Sequence, residues 1–575
     1  MVVRSLLAVT MFASVGLAQE LGSQVRHERK VMVPMRDGVG LATDLYLPDA
    51  PGKHPVVMTR SPYGRAGLGG LADKLAAAGY AGVWQDVRGR FDSEGEWVPF
   101  VHEADDGYDA IEWAAKQPWS DGRVVMLGGS YVAMVQWLAA KRHSRHLAGL
   151  ITLVSPGDFY ENFMWEGGAF AFGAGAMWST YVDGKANVDL DQLPWDSALR
   201  KLPLTEVVKA VGHNPPALGQ WIQHPTYDAY WKALSWNDDF PSFDFPVLHI
   251  GGWFDIFQRG TIDNFQRMTA RAKPAARSRQ NLVIGPWGHT TYEQTKTGDV
   301  DFGAGSVLGL EPMVMRWLDR NIRGKTDQPA MAPVRVFVMG ENQWHDYPTW
   351  PVPGMQPVEY FLQSDGKANG DGGNGKLARE QPQSRESADR FRYDPANPVP
   401  THGGGNCCWP NLIPWGPMDQ RPIESRADVL VYTTAPLDRD VTVLGPVTLQ
   451  LWAASSAVNT DFTGKLVDVA PDGYAMNLTD GIQRATHRLS DASPRPLVPG
   501  QPTELTVDLW NTGYMFKKGH RIRLEVSSSN FPRYDRNLNT AELPETGSTF
   551  ITADQTVYHD RTRPSRLVLP VVQPR

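Results

Sequence analysis

The sequence predicts an α/β protein: a doubly wound, mostly parallel sheet, an inserted helical cap, and a C-terminal β jelly-roll domain. Three observations carry this. Apolar strand-like runs alternate with helical segments over residues 25–156 and again over 245–345. The intervening residues 157–244 read as aromatic-rich helices without strands. From 350 to 575, short β-rich runs are divided by Pro, Gly, Asn and Asp, as in a sandwich or jelly roll.

The chain opens with Arg4, an apolar stretch from Leu6 to Leu17 and the small-x-small site Gly16-Leu17-Ala18. This is the arrangement of a secretory signal peptide over 1–18, cleaved near Ala18, and it predicts an exported (periplasmic or secreted) protein. That stretch is too short to span a bilayer, and no later segment is apolar enough to do so. Next, an alternating segment turns at Arg36-Asp37-Gly38 and leads into the apolar run Pro55 to Met58, an antiparallel start feeding a buried strand. The helical "GLADKLAAAGY", the strand "AGVWQDVRG", the helix "DGYDAIEWAAKQPW" and the strand "RVVML" follow. The last of these runs through Ser130 into the helix "AMVQWLAAKRH" and then the strand "GLITLVSP". After the cap the rhythm returns with "FPVLHIGGWFDIF", "NLVIGPWGH" and the helix "EPMVMRWLDRNI". The jelly-roll reading rests on runs such as "VTVLGPVTLQLWAAS", "TELTVDLW" and "HRIRLEVSSS".

A chain of 575 residues suggests three or so domains. With 56 basic and 63 acidic residues and no basic run, nucleic acid is excluded as a partner. The only two cysteines, Cys407 and Cys408, are adjacent. A trans peptide holds neighbouring Cα atoms ~3.8 Å apart, whereas disulfides prefer more than ~4.4 Å. A disulfide here is strained but can form in an oxidising compartment, and two free thiols are the alternative. No C-x-x-C motif and no histidine at ligand spacing accompanies the pair, so a metal is not expected from it.

Ser130 ends an apolar strand and opens a helix, the context of a nucleophile elbow, with Gly128, Gly129 and Ala133 as the small neighbours a sharp turn needs. The common G-x-S-x-G pattern nevertheless fails, because Val132 stands where the second glycine should be. In an α/β hydrolase the acid and the histidine come later, in that order, at strand carboxyl ends. Asp255 in "GGWFD" and His289 in "GPWGH" meet both conditions. His249 is the competing histidine, but it lies inside an apolar strand and reads as a core residue.

At this point the chain resembles a known family of serine hydrolases, which includes cocaine esterases, Xaa-Pro dipeptidyl-peptidases, α-amino-acid ester hydrolases and some glutaryl β-lactam acylases. Their elbow is G-x-S-Y-x-G, so Gly128 to Ala133 departs from it only in Ala133. The resemblance implies an α/β-hydrolase sheet, a helical cap and a galactose-binding-like jelly roll. It places the triad on Ser130, Asp255 and His289, and the oxyanion hole on the Tyr63 hydroxyl of "RSPYG" with the backbone N–H of Tyr131. It also implies pocket walls at Phe257, Trp178 and Trp165. In "QDVRGRFDSEGEW", Asp86, Arg88 and Glu94 are expected to brace one another and the loop rather than touch substrate. The acidic positions that help bind an ammonium group in α-amino-acid ester hydrolases hold Phe257 and Gln258 here. The loop "PVPTHGGGNCCWP" resembles the one that reaches towards the acyl pocket, which would bring Cys407 and Cys408 near the substrate.

The expected activity is ester hydrolysis through an acyl-enzyme, with an apolar or aromatic acyl group preferred. A dipeptidyl-peptidase or acylase acting on amides is the first alternative, and a non-catalytic binding protein using the C-terminal sandwich is the second. No cofactor or metal is expected. The partner is a small-molecule ester or amide, and a homo-oligomer is left open.

Overall fold

The computed structural model describes residues 25–327, 329–383, 387–543 and 546–573, so the expected signal peptide lies outside it. Apart from two small two-stranded hairpins, the strands up to residue 347 are β1 (Val25–Pro34), β2 (Gly40–Pro48), β3 (His54–Ser61), β4 (Ala81–Asp86), β5 (Ser120–Gly129), β6 (Leu147–Leu153), β7 (Val247–Phe254), β8 (Gln280–Gly288), β9 (Val334–Val338) and β10 (Gln343–Tyr347). They form one sheet in the order β1-β2-β4-β3-β5-β6-β7-β8-β9-β10. Pairing from β4 through β9 is parallel, and the two edges are antiparallel.

The central strands β3, β4 and β7 are almost wholly buried, because helices cover both faces. Along β5, Val124 and Met126 enter one core and Val125 and Leu127 the other, as a period of two requires. On one face lie α1 (Gly69–Ala77), through Leu71 and Leu75, and a later helix, Leu310–Asn321, through Met313 and Trp317. On the other lie α2 (Glu103–Ala115) and α3 (Tyr131–Ala140), through Ile111, Val135 and Leu138. Every residue of α3 is buried, which explains its lack of a polar face.

Between β6 and β7 the chain forms a π-helical turn at Tyr160–Met164 and five helices, among them α4 (Phe172–Tyr181) and α5 (Pro216–Gln223). Beyond β10 a twelve-stranded, mostly antiparallel sheet folds the C-terminal region, built around the long pair Val441–Ser455 and Thr503–Phe516. Its core residues Leu449, Val507 and Leu524 belong to one cluster with Trp253 and Phe254 of β7, so the two sheets share apolar interior. No helix among the described residues is long and apolar enough to cross a membrane.

The sheet's polarity positions the site. Tyr63 follows β3, Ser130 follows β5, Asp255 follows β7 and His289 follows β8, all at carboxyl ends, where ligands gather in such sheets.

Candidate active site

Ser130 sits between β5 and α3 with φ 60° and ψ −128°, a backbone state that side chains other than glycine rarely adopt. The turn depends on Gly128, where φ is +152° and a Cβ would stand 2.1 Å from Val132 Cγ1. Behind the elbow, the Tyr131 hydroxyl donates to Glu103 Oε1 at 2.8 Å and accepts the Phe100 N–H at 3.0 Å. Arg60 then closes on Glu103 Oε2 at 2.7 Å. Burial pushes the Glu103 carboxyl up despite Arg60 and the Tyr131 bond. Tyr131 is thereby fixed, and as the first residue of α3 its N–H has no acceptor in the helix ladder.

Asp255 is fully buried and takes the Phe257 N–H on Oδ1 at 2.6 Å. Its Oδ2 meets Nδ1 of His289 at 2.6 Å. β7 and β8 can approach this closely because Gly252 carries no side chain: a Cβ there would lie 2.1 Å from the Trp287 carbonyl oxygen. His289 and Ser130 line one cavity of about 270 Å³, together with Tyr63, Trp178 and Phe257.

The Tyr63 hydroxyl accepts a hydrogen bond from Trp178 Nε1 at 2.9 Å and lines the same cavity as Ser130. Burial raises its pKa well above the ordinary phenol value, so it stays a neutral O–H donor. Trp178 therefore does more than line the cavity, since it also orients Tyr63. Its ring stacks on Phe100 and Tyr131 with centroids 5.7 and 5.6 Å away. Phe257 stands edge-on to His289 at 5.5 Å and to Phe163 at 4.9 Å.

Cys407 and Cys408 form a disulfide that lines the same cavity. Their loop is tied to the acid by a β-bridge between Asn406 and Asp255. The open question of thiols or disulfide is thus settled towards the disulfide, at the position the loop's resemblance implied.

Three expectations need correction. Trp165 does not line this cavity. It is fully buried, donates Nε1 to the Trp221 carbonyl at 3.2 Å, packs on Phe170 at 4.9 Å and borders a second cavity between cap and jelly roll. Contrary to expectation, the cap is not free of strands: Trp165–Glu166 pairs with Ala169–Phe170, which sets Trp165 against Phe170, and Phe163 takes the wall instead. Nor do Asp86, Arg88 and Glu94 brace one another, although, as expected, they hold the loop and none of them lines the cavity. Arg88 pairs with Asp106 at 2.6 Å and Asp37 at 2.7 Å, Asp86 pairs with Arg65, and Glu94 accepts the Gly40 N–H at 2.8 Å. Long-range partners were invisible at the level of one loop.

His249 is a core residue, as its strand implied: fully buried, 3.3 Å from Gln280, its pKa lowered to about 3 by burial. Phe100 was missed. Nothing in "WVPFVHEA" marks it, yet it lines the cavity with a left-handed φ of 70° and holds Tyr131.

The chain is similar to known proteins over nearly its whole length. Residues 37–291 match the X-Pro dipeptidyl-peptidase (S15 family), and 329–568 match the X-Pro dipeptidyl-peptidase C-terminal non-catalytic domain. The cocaine esterase of Rhodococcus sp. (strain MB1 Bresler) is 37% identical over 94% of this chain and 98% of its own. Among solved structures, an α-amino acid ester hydrolase superposes with a TM-score of 0.84 at 26% identity, covering 99% of this chain and 100% of that one. An aminopeptidase from a marine sediment Thaumarchaeota archaeon gives 0.83 at 26% identity, over 98% and 99%. Fold and relatives together define a serine hydrolase of the α/β-hydrolase class. By its 37% identity over 94% of its length the chain belongs to the cocaine esterase family, and its residues 37–291 carry the X-Pro dipeptidyl-peptidase (S15 family) domain.

Proposed function

We propose that the protein is a serine ester hydrolase that acts through an acyl-enzyme on esters with an apolar or aromatic acyl group. The observation that carries this reading is the 2.6 Å contact between Asp255 and His289 Nδ1, in a cavity shared with Ser130 and Tyr63. With Nδ1 held, Nε2 is the nitrogen left to take the Ser130 proton as the hydroxyl attacks the carbonyl. Asp255 fixes the tautomer and stabilises the imidazolium. The Tyr63 O–H and the Tyr131 N–H receive the developing oxyanion. His289 then protonates the leaving alcohol and activates the water that releases the acid.

The acyl preference follows from the walls. Phe100, Phe163, Trp178 and Phe257 supply aromatic surface. Gln258, which stands where an ammonium-binding carboxylate would, is buried and turned to the Asn511 carbonyl. Among the described lining residues the one carboxylate is the exposed Asp191. Aryl-acyl esters should therefore be cleaved with a higher kcat/KM than Xaa-Pro anilides or aminoacyl esters in a side-by-side panel. Preference for Xaa-Pro anilides would refute the ester reading. We also propose export after cleavage near Ala18, to be checked by N-terminal sequencing of protein recovered outside the producing cells' cytoplasm; an N-terminus that retains residues 1–18 would refute it.

A further inference from the structure

Three metal-binding groups converge in the wall of the active-site cavity. A ring nitrogen of His289 and the two sulfurs of Cys407 and Cys408 lie within 4.8 Å of one another. Adjacency in sequence showed only the cysteines, and the fold adds the histidine from far upstream. The loop that delivers the sulfurs is firmly held. Asn406 bridges to Asp255 and donates Nδ2 to the carbonyls of Gly403 and Pro414, each at 3.3 Å. Cys408 itself takes a left-handed φ of 79°, a conformation a non-glycine residue keeps only when its surroundings impose it. Both cysteines are partly buried against the cap core yet border the cavity, so a small ion can reach them.

We propose that reduction of Cys407–Cys408 converts this wall into a binding site for a soft divalent cation, zinc or cadmium, and that its occupation shuts the hydrolase off. The ligands are the two thiolates and Nε2 of His289. The shut-off rests on the proposed role of His289 as general base, whereas the site itself does not.

The chemistry balances. As a disulfide the sulfurs carry no thiolate and are poor ligands. A phosphine with water cleaves the S–S bond, giving two thiols and the phosphine oxide; a low-molecular-weight thiol does the same and leaves as its own disulfide. The cation then forms two metal–sulfur bonds and releases two protons. Around a tetrahedral zinc ion the sulfurs stand about 3.8 Å apart and about 3.6 Å from the nitrogen, within the span these groups already occupy. The sulfurs need only separate from bonding distance. Asp255 completes the arrangement, because histidine ligands usually donate their other ring N–H to a carboxylate, and here Nδ1 already meets Asp255 at 2.6 Å. A cation on Nε2 takes the lone pair that would accept the Ser130 proton.

The experiment uses the full chain, reduced with tris(2-carboxyethyl)phosphine, freed of reductant and titrated with cadmium. The chain's two cysteines should give two free thiols after reduction and none before. One cadmium should bind per reduced chain, with an ultraviolet thiolate-to-cadmium charge-transfer band. Hydrolysis of an aryl ester should fall by about 10²-fold, the contribution of a general base, and return on chelation. Oxidised protein should show neither band nor loss. The same should hold for a Cys407→Ser/Cys408→Ser double variant, measured against its own metal-free rate. Reduced protein with two titratable thiols and no cadmium band would overturn the site. A band with an unchanged hydrolysis rate would show cadmium held by the thiolates alone and would refute both the shut-off and His289 as a ligand.

Discussion

The Tyr63 hydroxyl accepts the indole N–H of Trp178, so its orientation is set before any substrate arrives. If Tyr63 donates to the oxyanion, Tyr63→Phe should lower kcat by ~10²- to 10³-fold with little change in thermal stability. Trp178→Phe keeps the aromatic wall but removes the orienting bond. Its kcat should fall by about tenfold, the worth of one hydrogen bond in this setting. Because the tryptophan acts through the tyrosine, the double variant should lose no more than Tyr63→Phe alone. Multiplicative losses in steady-state kinetics would show that Trp178 contributes by contact with substrate instead.

The elbow is the element on which the proposed chemistry depends, and its geometry leaves no room at Gly128. Gly128→Ala combines a strained φ with a Cβ 2.1 Å from Val132. It should cost about 1–3 kcal/mol, read as a lower denaturation midpoint, and misplace Ser130 enough to depress turnover further than the stability loss explains. This element was legible from sequence, because an apolar strand, small residues and a buried helix are all local signals. The order Ser130, Asp255, His289 was legible for the same reason, each residue ending a readable strand. Legibility stopped where contacts became irregular or long-range. A two-residue hairpin sets Trp165 against Phe170, Arg88 finds Asp37 and Asp106 rather than its loop neighbours, and Phe100 comes to line the cavity with its N–H on the Tyr131 hydroxyl. None of these leaves a periodic trace.

Across the whole molecule, the cap and the jelly roll meet on buried polar groups. Glu166 of the cap accepts the Tyr534 hydroxyl at 2.5 Å, and Arg533 lies nearby. Burial raises the Glu166 carboxyl to about 7 even so. The folded protein therefore keeps a proton that the unfolded chain releases near 4.5, so this group's stabilising contribution is full below that pH and is lost as pH rises to about 7. Glu166→Gln should flatten the decline in melting temperature across that window. Asp389 in the jelly roll acts in the opposite sense. Burial opposes its ionisation, but bonds from His559, Ser364, the Ala368 N–H and Tyr432 outweigh it and hold the carboxyl below its usual value. Its contribution is present above about 4, the ordinary aspartate range, and is lost as pH falls through the lowered pKa. Asp389→Asn should thus destabilise the protein at neutral pH and narrow the gap to wild type in acid, as melting curves from pH 2 to 7 would reveal. That cluster joins serine, histidine and aspartate, yet Asp389 and His559 are closed to solvent, and no substrate can reach them.

One reactive serine in the whole chain is the central claim, and a fluorophosphonate probe tests it directly. Mass spectrometry of the labelled protein should find one phosphonyl group per chain, on Ser130, formed far more slowly in His289→Ala and absent from folded Ser130→Ala. Undiminished labelling of Ser130→Ala, or labelling of wild type at any other residue, would contradict the account.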